Sequence, residues 1–171
     1  AYWRRLWSET KKLTGADREH GVKIIGSLLD MNNLMWAVRY RVYHKLSEEE
    51  VINYTLPFGY HVQDSDIRAI AAGADIASTI SRLYPSLPDL NPLLEDPKTG
   101  LPKLEVLLKR QLLKQCLAAF VGSPFHIGIP LAFLVISDIE TQDLIVLIEA
   151  KSSRLSEEEF RPFLLKTSLL N

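Results

Sequence analysis

This sequence predicts an all-α fold built on a helical unit that occurs twice, and three observations carry the prediction. The run Asp30-Met31-Asn32-Asn33-Leu34 leading to Leu46-Ser47-Glu48-Glu49-Glu50 recurs as Ile139-Glu140-Thr141-Gln142-Asp143-Leu144 leading to Leu155-Ser156-Glu157-Glu158-Glu159. Leu34 and Leu144 are 110 apart and Ser47 and Ser156 109 apart, so a single-residue gap registers the copies. Self-similarity at a long fixed period marks a duplicated structural unit. In each copy the Ser is followed three residues later by Glu (Glu50, Glu159), the spacing of a capping box at a helix start. No alternating apolar-polar run of useful length suggests a strand.

The elements follow in order. Trp3, Leu6, Trp7 and Leu13 recur at helical spacing and predict a first helix over 2–13, ended at Thr14-Gly15-Ala16-Asp17. A second apolar pattern runs from about Val22 to Tyr43, with Ile25, Leu28, Leu29, Met35, Trp36 and Val38 around a polar stripe of Asp30, Asn33, Arg41 and His44. Apolar over most of its circumference, this helix should be central and largely buried. Ser47 starts a short third helix, stopped by Pro57-Phe58-Gly59, with Gly in the left-handed turn. Asp64 or Ser65 caps a fourth, whose Ile67, Ile70, Ala74, Ala77 and Ile80 share a face.

From Pro85 to Pro102 the prolines Pro85, Pro88, Pro92, Pro97 and Pro102 predict an ordered but irregular connection, and the repeat boundary falls here. The division is a first unit over 1–84, a Pro-rich connection over 85–102 and a second unit over 103–171. A fifth helix is expected from about Lys103 to Phe120, with Glu105 and Lys109 at the favourable i,i+4 spacing. Ser123-Pro124 offers an N-cap and a Pro at the first helical position of a long helix to about Lys151, kinked or restarted at Pro130. Ser156 caps the last helix, expected to end near Leu165.

Composition narrows the function. The 171 residues are 47% hydrophobic and 24% charged, enough for one sizeable core or two small ones, and the formal net charge of −1 with cations scattered among acids argues against a nucleic-acid surface. Cys116 is alone in a Leu-rich stretch, which suggests a buried thiol in a reducing, cytosolic compartment. The most apolar window, 127–136, falls short of the ~20 residues a spanning helix needs and contains Pro130. The chain enters an amphipathic pattern at once, without a charged-then-apolar leader, and reads as a piece of something longer.

Candidate residues are weighed against plainer roles. Asp30, Arg39 and Arg41 are candidates to line an inward-facing socket, although a polar group or ion pair on a buried helix face is the commoner explanation. His61, Asp64 and Asp66 have ligand-type atoms, but Asp64 is better explained as a cap, so no metal is expected. His20, His44 and His126 lie too far apart in sequence to suggest a site. Ser47 and Ser156 stand as caps rather than nucleophiles, and Gly21 and Gly26 lack the Lys-Ser/Thr of a phosphate loop. No cofactor and no small-molecule ligand are expected.

The motifs together resemble a known family. Asp30 to Leu34, Arg39-Tyr40-Arg41, Leu46 to Val51, Leu56-Pro57-Phe58-Gly59, Ser123 to Gly128, Ala132-Phe133-Leu134 and the Ile139 to Leu144 segment are similar, in order and spacing, to the rotary V-type/A-type ATPase subunit called C in prokaryotes and d in eukaryotes. The resemblance spans essentially the whole chain and is to the C-terminal part of that longer family. It implies an all-α funnel or socket of internally similar units, without a catalytic site. Such a subunit sits between the rotating central stalk and the membrane proteolipid ring, cytoplasmic and peripheral to the membrane, and serves proton or sodium transport. Two departures stand out: Gln142-Asp143 replaces a common Arg-Asn pair, and Lys45 and Arg154 stand where Gly commonly precedes Leu-Ser. The alternative is a generic cytosolic helical scaffold for some other partner. Neighbouring genes for ATPase subunits and proteolipids would decide between them.

Overall fold

The computed structural model describes residues 2–166, apart from the side chains of Pro97 and Lys98; the end of the expected second unit, 167–171, lies outside the described residues. Among the described residues every regular element is helical: α1 (Tyr2–Lys12), α2 (Gly15–Arg39), α3 (Glu48–Tyr54), α4 (Asp64–Ala72), α5 (Ile76–Leu83), α6 (Asn91–Leu94), α7 (Pro97–Ala118), α8 (Gly128–Ser152) and α9 (Glu157–Phe160). A π-helical turn over Tyr40–His44 continues α2, and a 3₁₀ turn over Arg161–Phe163 follows α9.

The central helix is α2, where Ile24, Ile25, Leu29, Leu34, Met35, Ala37 and Val38 are all buried. It begins at Gly15, about two turns earlier than the apolar pattern indicates, because its first turns are largely exposed and polar and so carry no apolar period. The sequence pattern predicts one long fourth helix; two form. Gly73 adopts a left-handed φ of 109° that ends α4, and the Asp75 carboxylate accepts from the Ser78 amide at 2.7 Å to start α5. The cap of α4 is Gln63 rather than Asp64 or Ser65: its amide donates to the Asp66 carboxylate at 2.8 Å, placing Asp64 inside the first turn.

The Pro-rich connection is more helical than its composition indicates. It contains α6 and the first residues of α7, which starts at Pro97, not Lys103. Pro97 occupies a first-turn position where no intrahelical bond is lost, and Pro102 gives up a single backbone bond near the helix start. Gly100 explains the packing of α6 on α7, since a Cβ there would collide with the Leu93 carbonyl oxygen. Likewise α8 starts at Gly128 rather than beside Ser123-Pro124, and runs unbroken past Pro130, which sits in its first turn. The last helix is short: α9 gives way at Arg161 to the 3₁₀ turn, and Leu165 beyond it is buried.

Three apolar clusters meet on α7. Leu101, Leu104 and Leu108 from its first half pack with Leu34, Val38, Ile67, Ile70 and Ile80. Leu112 and Cys116 pack with Ile24 of α2 and Ala132 of α8. Leu113 packs with Ile139 of α8 and Leu165. Each fully buried Leu or Ile contributes about 2 kcal/mol relative to exposure, so α7 is the wall both sides of the molecule depend on. The Cys116 thiol is buried, and burial pushes its pKa up to about 12, which keeps it an inert apolar filler.

Candidate functional site

Two polar residues about one helical turn apart on α2 organise the segment that follows α3. Asp30 is fully buried, and its Oδ1 accepts from the amides of Tyr60 at 2.9 Å and Val62 at 3.1 Å while Oδ2 accepts from the amide of His61 at 2.7 Å. Burial pushes the carboxyl above its ordinary range, with the three amides acting in the opposite direction. The same burial, with the Asp30 charge, raises the Tyr84 phenol. Gly59 is needed because a Cβ there would collide with Asp30 Oδ1; it has no left-handed conformation, contrary to the expected helix-stop role. What ends α3 is Thr55, whose hydroxyl donates back to the Val51 and Ile52 carbonyls, each at 3.1 Å.

Asn33 works beside it. Its Oδ1 accepts from the Leu56 amide at 2.9 Å, and its Nδ2 donates to the Leu56 carbonyl at 2.9 Å and the Phe58 carbonyl at 3.2 Å. A matching arrangement lies on α8, where Asp143 Oδ1 accepts from the Leu165 amide at 2.7 Å and Oδ2 from the Lys166 amide at 3.0 Å. Asn33 and Asp143 are 110 apart and Leu56 and Leu165 109 apart, the same offsets as the two sequence motifs. Lys45 and Arg154, also 109 apart, take left-handed φ values of 51° and 55°. That geometry is the physical reason a glycine suits the position before Leu-Ser. Reciprocal capping boxes join Ser47 to Glu50 and Ser156 to Glu159, the backbone amide of each Ser donating to the Glu carboxylate at 2.9 and 2.8 Å. The Ser47 hydroxyl and amide hold the Glu50 carboxyl, and the Ser156 amide and hydroxyl the Glu159 carboxyl, below their ordinary value.

A groove of about 640 Å³ opens between α1, α2, α7 and α8. Its lining is mostly apolar, with Trp3, Leu6, Ile25, Leu28, Leu131 and Val135 among its walls, and Asn32, Glu105, Lys109, Asp138 and Gln142 are among the polar groups beside them. Arg39 donates to Glu105 at 2.5 Å, Glu105 pairs with Lys109 at 2.8 Å, Lys109 donates to Gln142 at 2.6 Å, and Gln142 donates to Asp138 at 2.6 Å. The chain of polar bonds crosses three helices.

Beyond the groove, α8 leaves a face uncovered. Leu34, Met35 and Val38 of α2 are 0%, 3% and 0% exposed, whereas Leu144, Ile145 and Ile148, at the 110 offset, are 59%, 49% and 67% exposed. Phe133, Leu134 and Leu147 extend this apolar surface, which is larger than scattered surface leucines account for.

The three polar residues singled out from sequence serve three different elements. Asp30 holds the 60–62 turn. Arg39 alone reaches the groove, through Glu105. Arg41 donates to the Ile70 and Ala74 carbonyls, each at 2.7 Å, and so closes the C-terminal end of α4. Of the residues with ligand-type atoms, Asp64 pairs with Arg68 at 2.5 Å and Asp66 with Arg82 at 2.5 Å. Sequence reasoning missed His20 and His126, 106 positions apart, whose rings stack at 3.6 Å and 4°, and Asp17, which accepts from the Ile127 amide at 2.7 Å. Neither contact has a local signal. The α8 face did have one: α8 carries apolar residues on all sides, which in a helix with only one covered face leaves apolar surface over.

No helix among the described residues is long and apolar enough to cross a membrane. Comparison with curated proteins and with solved structures finds no match. The family model described as ATP synthase (C/AC39) subunit matches residues 1–163, and the chain belongs to that family.

Proposed function

We propose that this member of the ATP synthase (C/AC39) subunit family is the non-catalytic adaptor of a V-type/A-type ion-translocating ATPase, coupling the central stalk to the membrane proteolipid ring. Membership makes it a subunit of such a rotary, ion-transporting machine. The adaptor role is our reading, and the single observation that carries it is the apolar face of α8 beside the groove. Six large apolar side chains left uncovered on one helix are a surface awaiting a protein partner, and shape-matched apolar area rather than a reacting pocket is what a mechanical coupler needs.

In this reading the chain is cytoplasmic and peripheral to the membrane. It consists of a unit over 1–84, a connection over 85–102 and a second unit over 103–171. The shared offsets of the Asn33 and Asp143 clamps, the left-handed Lys45 and Arg154 and the two capping boxes support one unit used twice. The unit gives rigid helical surfaces at fixed spacing, and the polar chain from Arg39 to Asp138 ties them together.

The test is a reconstituted complex with and without the subunit. Without it, the soluble head should keep its ATPase activity while ATP-driven ion transport is lost, because torque has no path to the ring. Undiminished pumping without the subunit, or ATP turnover by the purified chain, overturns the proposal.

A further inference from the structure

The cations that look scattered in the sequence are gathered by the fold. Among residues 2–23, Glu9 is paired with Lys12 at 2.8 Å and the Asp17 carboxylate is committed to the Ile127 amide at 2.7 Å. Lys11, Arg18 and Lys23 make no ion pair with any described acid, and all three line one concavity of about 380 Å³ where the end of α1 meets the first turns of α2. Tyr60 and Val22 close its sides, Glu19 is the one acid on its wall, and Gly15 presents bare backbone to it. Lys11 is held in place over the Trp7 ring, its Nζ 4.9 Å from the centroid. Thr14, the N-cap of α2, makes no side-chain cap, so the first amides of the helix are left to other acceptors.

We propose that this concavity binds a phosphate-bearing anion through Lys11, Arg18 and Lys23. Three cations against the single Glu19 carboxylate leave the hollow with a net positive potential that attracts an anion, and lysine is suited to phosphate as a compact point charge. The start of α2 adds the positive end of a 25-residue helix dipole. A volume of about 380 Å³ has room for a phosphate group and the atoms that carry it. Such phosphate comes either from the headgroup of an anionic lipid or from a soluble polyphosphate. The proposal is independent of the adaptor reading, since it rests on α1 and the start of α2 and not on the α8 face.

The experiment uses the 171-residue chain and two probes: pyrophosphate, followed by calorimetric titration, and sedimentation with phosphatidylcholine vesicles made with or without phosphatidylserine. Wild type should bind, more weakly as salt rises, and each of Lys11→Gln, Arg18→Gln and Lys23→Gln should weaken binding about fivefold, the triple variant roughly a hundredfold. Glu19→Gln should bind more tightly, a response that a merely structural role for these residues would not produce. Circular dichroism and thermal midpoints confirm that the variants fold. Binding to the phosphatidylserine vesicles identifies the anion as a lipid headgroup; binding to pyrophosphate without vesicle binding identifies it as a soluble polyphosphate. Absence of both, or equal binding by the folded triple variant, overturns the proposal.

Discussion

Asn33 and Asp143 hold equivalent turns with side chains of the same shape and opposite polarity at one atom, which makes exchanging them a sharp test. Asn33→Asp replaces an N–H₂ group that donates to the Leu56 and Phe58 carbonyls with an oxygen facing the same two carbonyls, in a site with no solvent exposure. Two hydrogen bonds are lost and a buried charge gains acceptors where it needs donors, a cost of about 3–5 kcal/mol near neutral pH. Asp143→Asn keeps the Leu165 bond and turns an N–H₂ toward the Lys166 amide, at a partly exposed position, a cost of about 1 kcal/mol. The carboxyl introduced at position 33 should have its pKa raised above the ordinary range by burial and by the carbonyls. Its native form then binds the proton more tightly than the unfolded chain, so stability is highest below the ordinary carboxylate range and is lost as pH rises through the raised value. Urea unfolding midpoints of wild type and both variants, measured in acid and at neutrality, read this out. A smaller loss for Asn33→Asp than for Asp143→Asn, or a loss that does not deepen as pH rises, refutes the reasoning.

Two further predictions concern the same framework. Lys45→Gly and Arg154→Gly relieve left-handed backbone at φ 51° and 55° and should each raise stability by about 0.5–1 kcal/mol after the entropy of the added glycine is counted; unchanged or lower urea midpoints would contradict this. Asp30→Asn keeps an oxygen for the Tyr60 and Val62 amides but sets an N–H₂ against the His61 amide, at a cost of about 2 kcal/mol. Because burial raises the Asp30 carboxyl, its contribution to stability is full below the ordinary carboxylate range and falls as pH rises through the raised value. The wild-type advantage should therefore be larger in acid than at neutrality, and an advantage that grows with pH would sink the assignment.

What could be read from the chain was what acts over a few residues. The reciprocal bonds of Ser47 with Glu50 span three positions, so spacing alone reveals them. The burial of α2 follows from an apolar period sustained over several turns. The misplaced starts of α2, α7 and α8 share a cause. Apolar periodicity reports burial and not helicity, so exposed first turns and turns opened by proline are invisible to it. Gly59 shows the reverse ambiguity: a glycine kept small by a distant carboxylate looks in sequence like one kept for its backbone freedom. Arg39 is legible as a charge on α2, but its partner Glu105 is 66 residues away, and sequence spacing says nothing about that meeting.

The position of α7 has a mechanical consequence. Structures joined end to end by a tether deform at the tether, and their stiffness is that of its softest residue. Here leucines from one helix are embedded on both sides, Leu104 and Leu108 with the α2–α5 helices and Leu112 and Leu113 toward α8, with polar groups bridging the outer edge. Twisting α8 against α2 must therefore shear close-packed side chains across the length of α7, and resistance to that shear rises at once because packed interiors are nearly incompressible. An element built this way stores little elastic energy and transmits displacement with little lag. Softening it would require a cavity within α7, such as Leu108→Ala, rather than a longer loop anywhere on the surface.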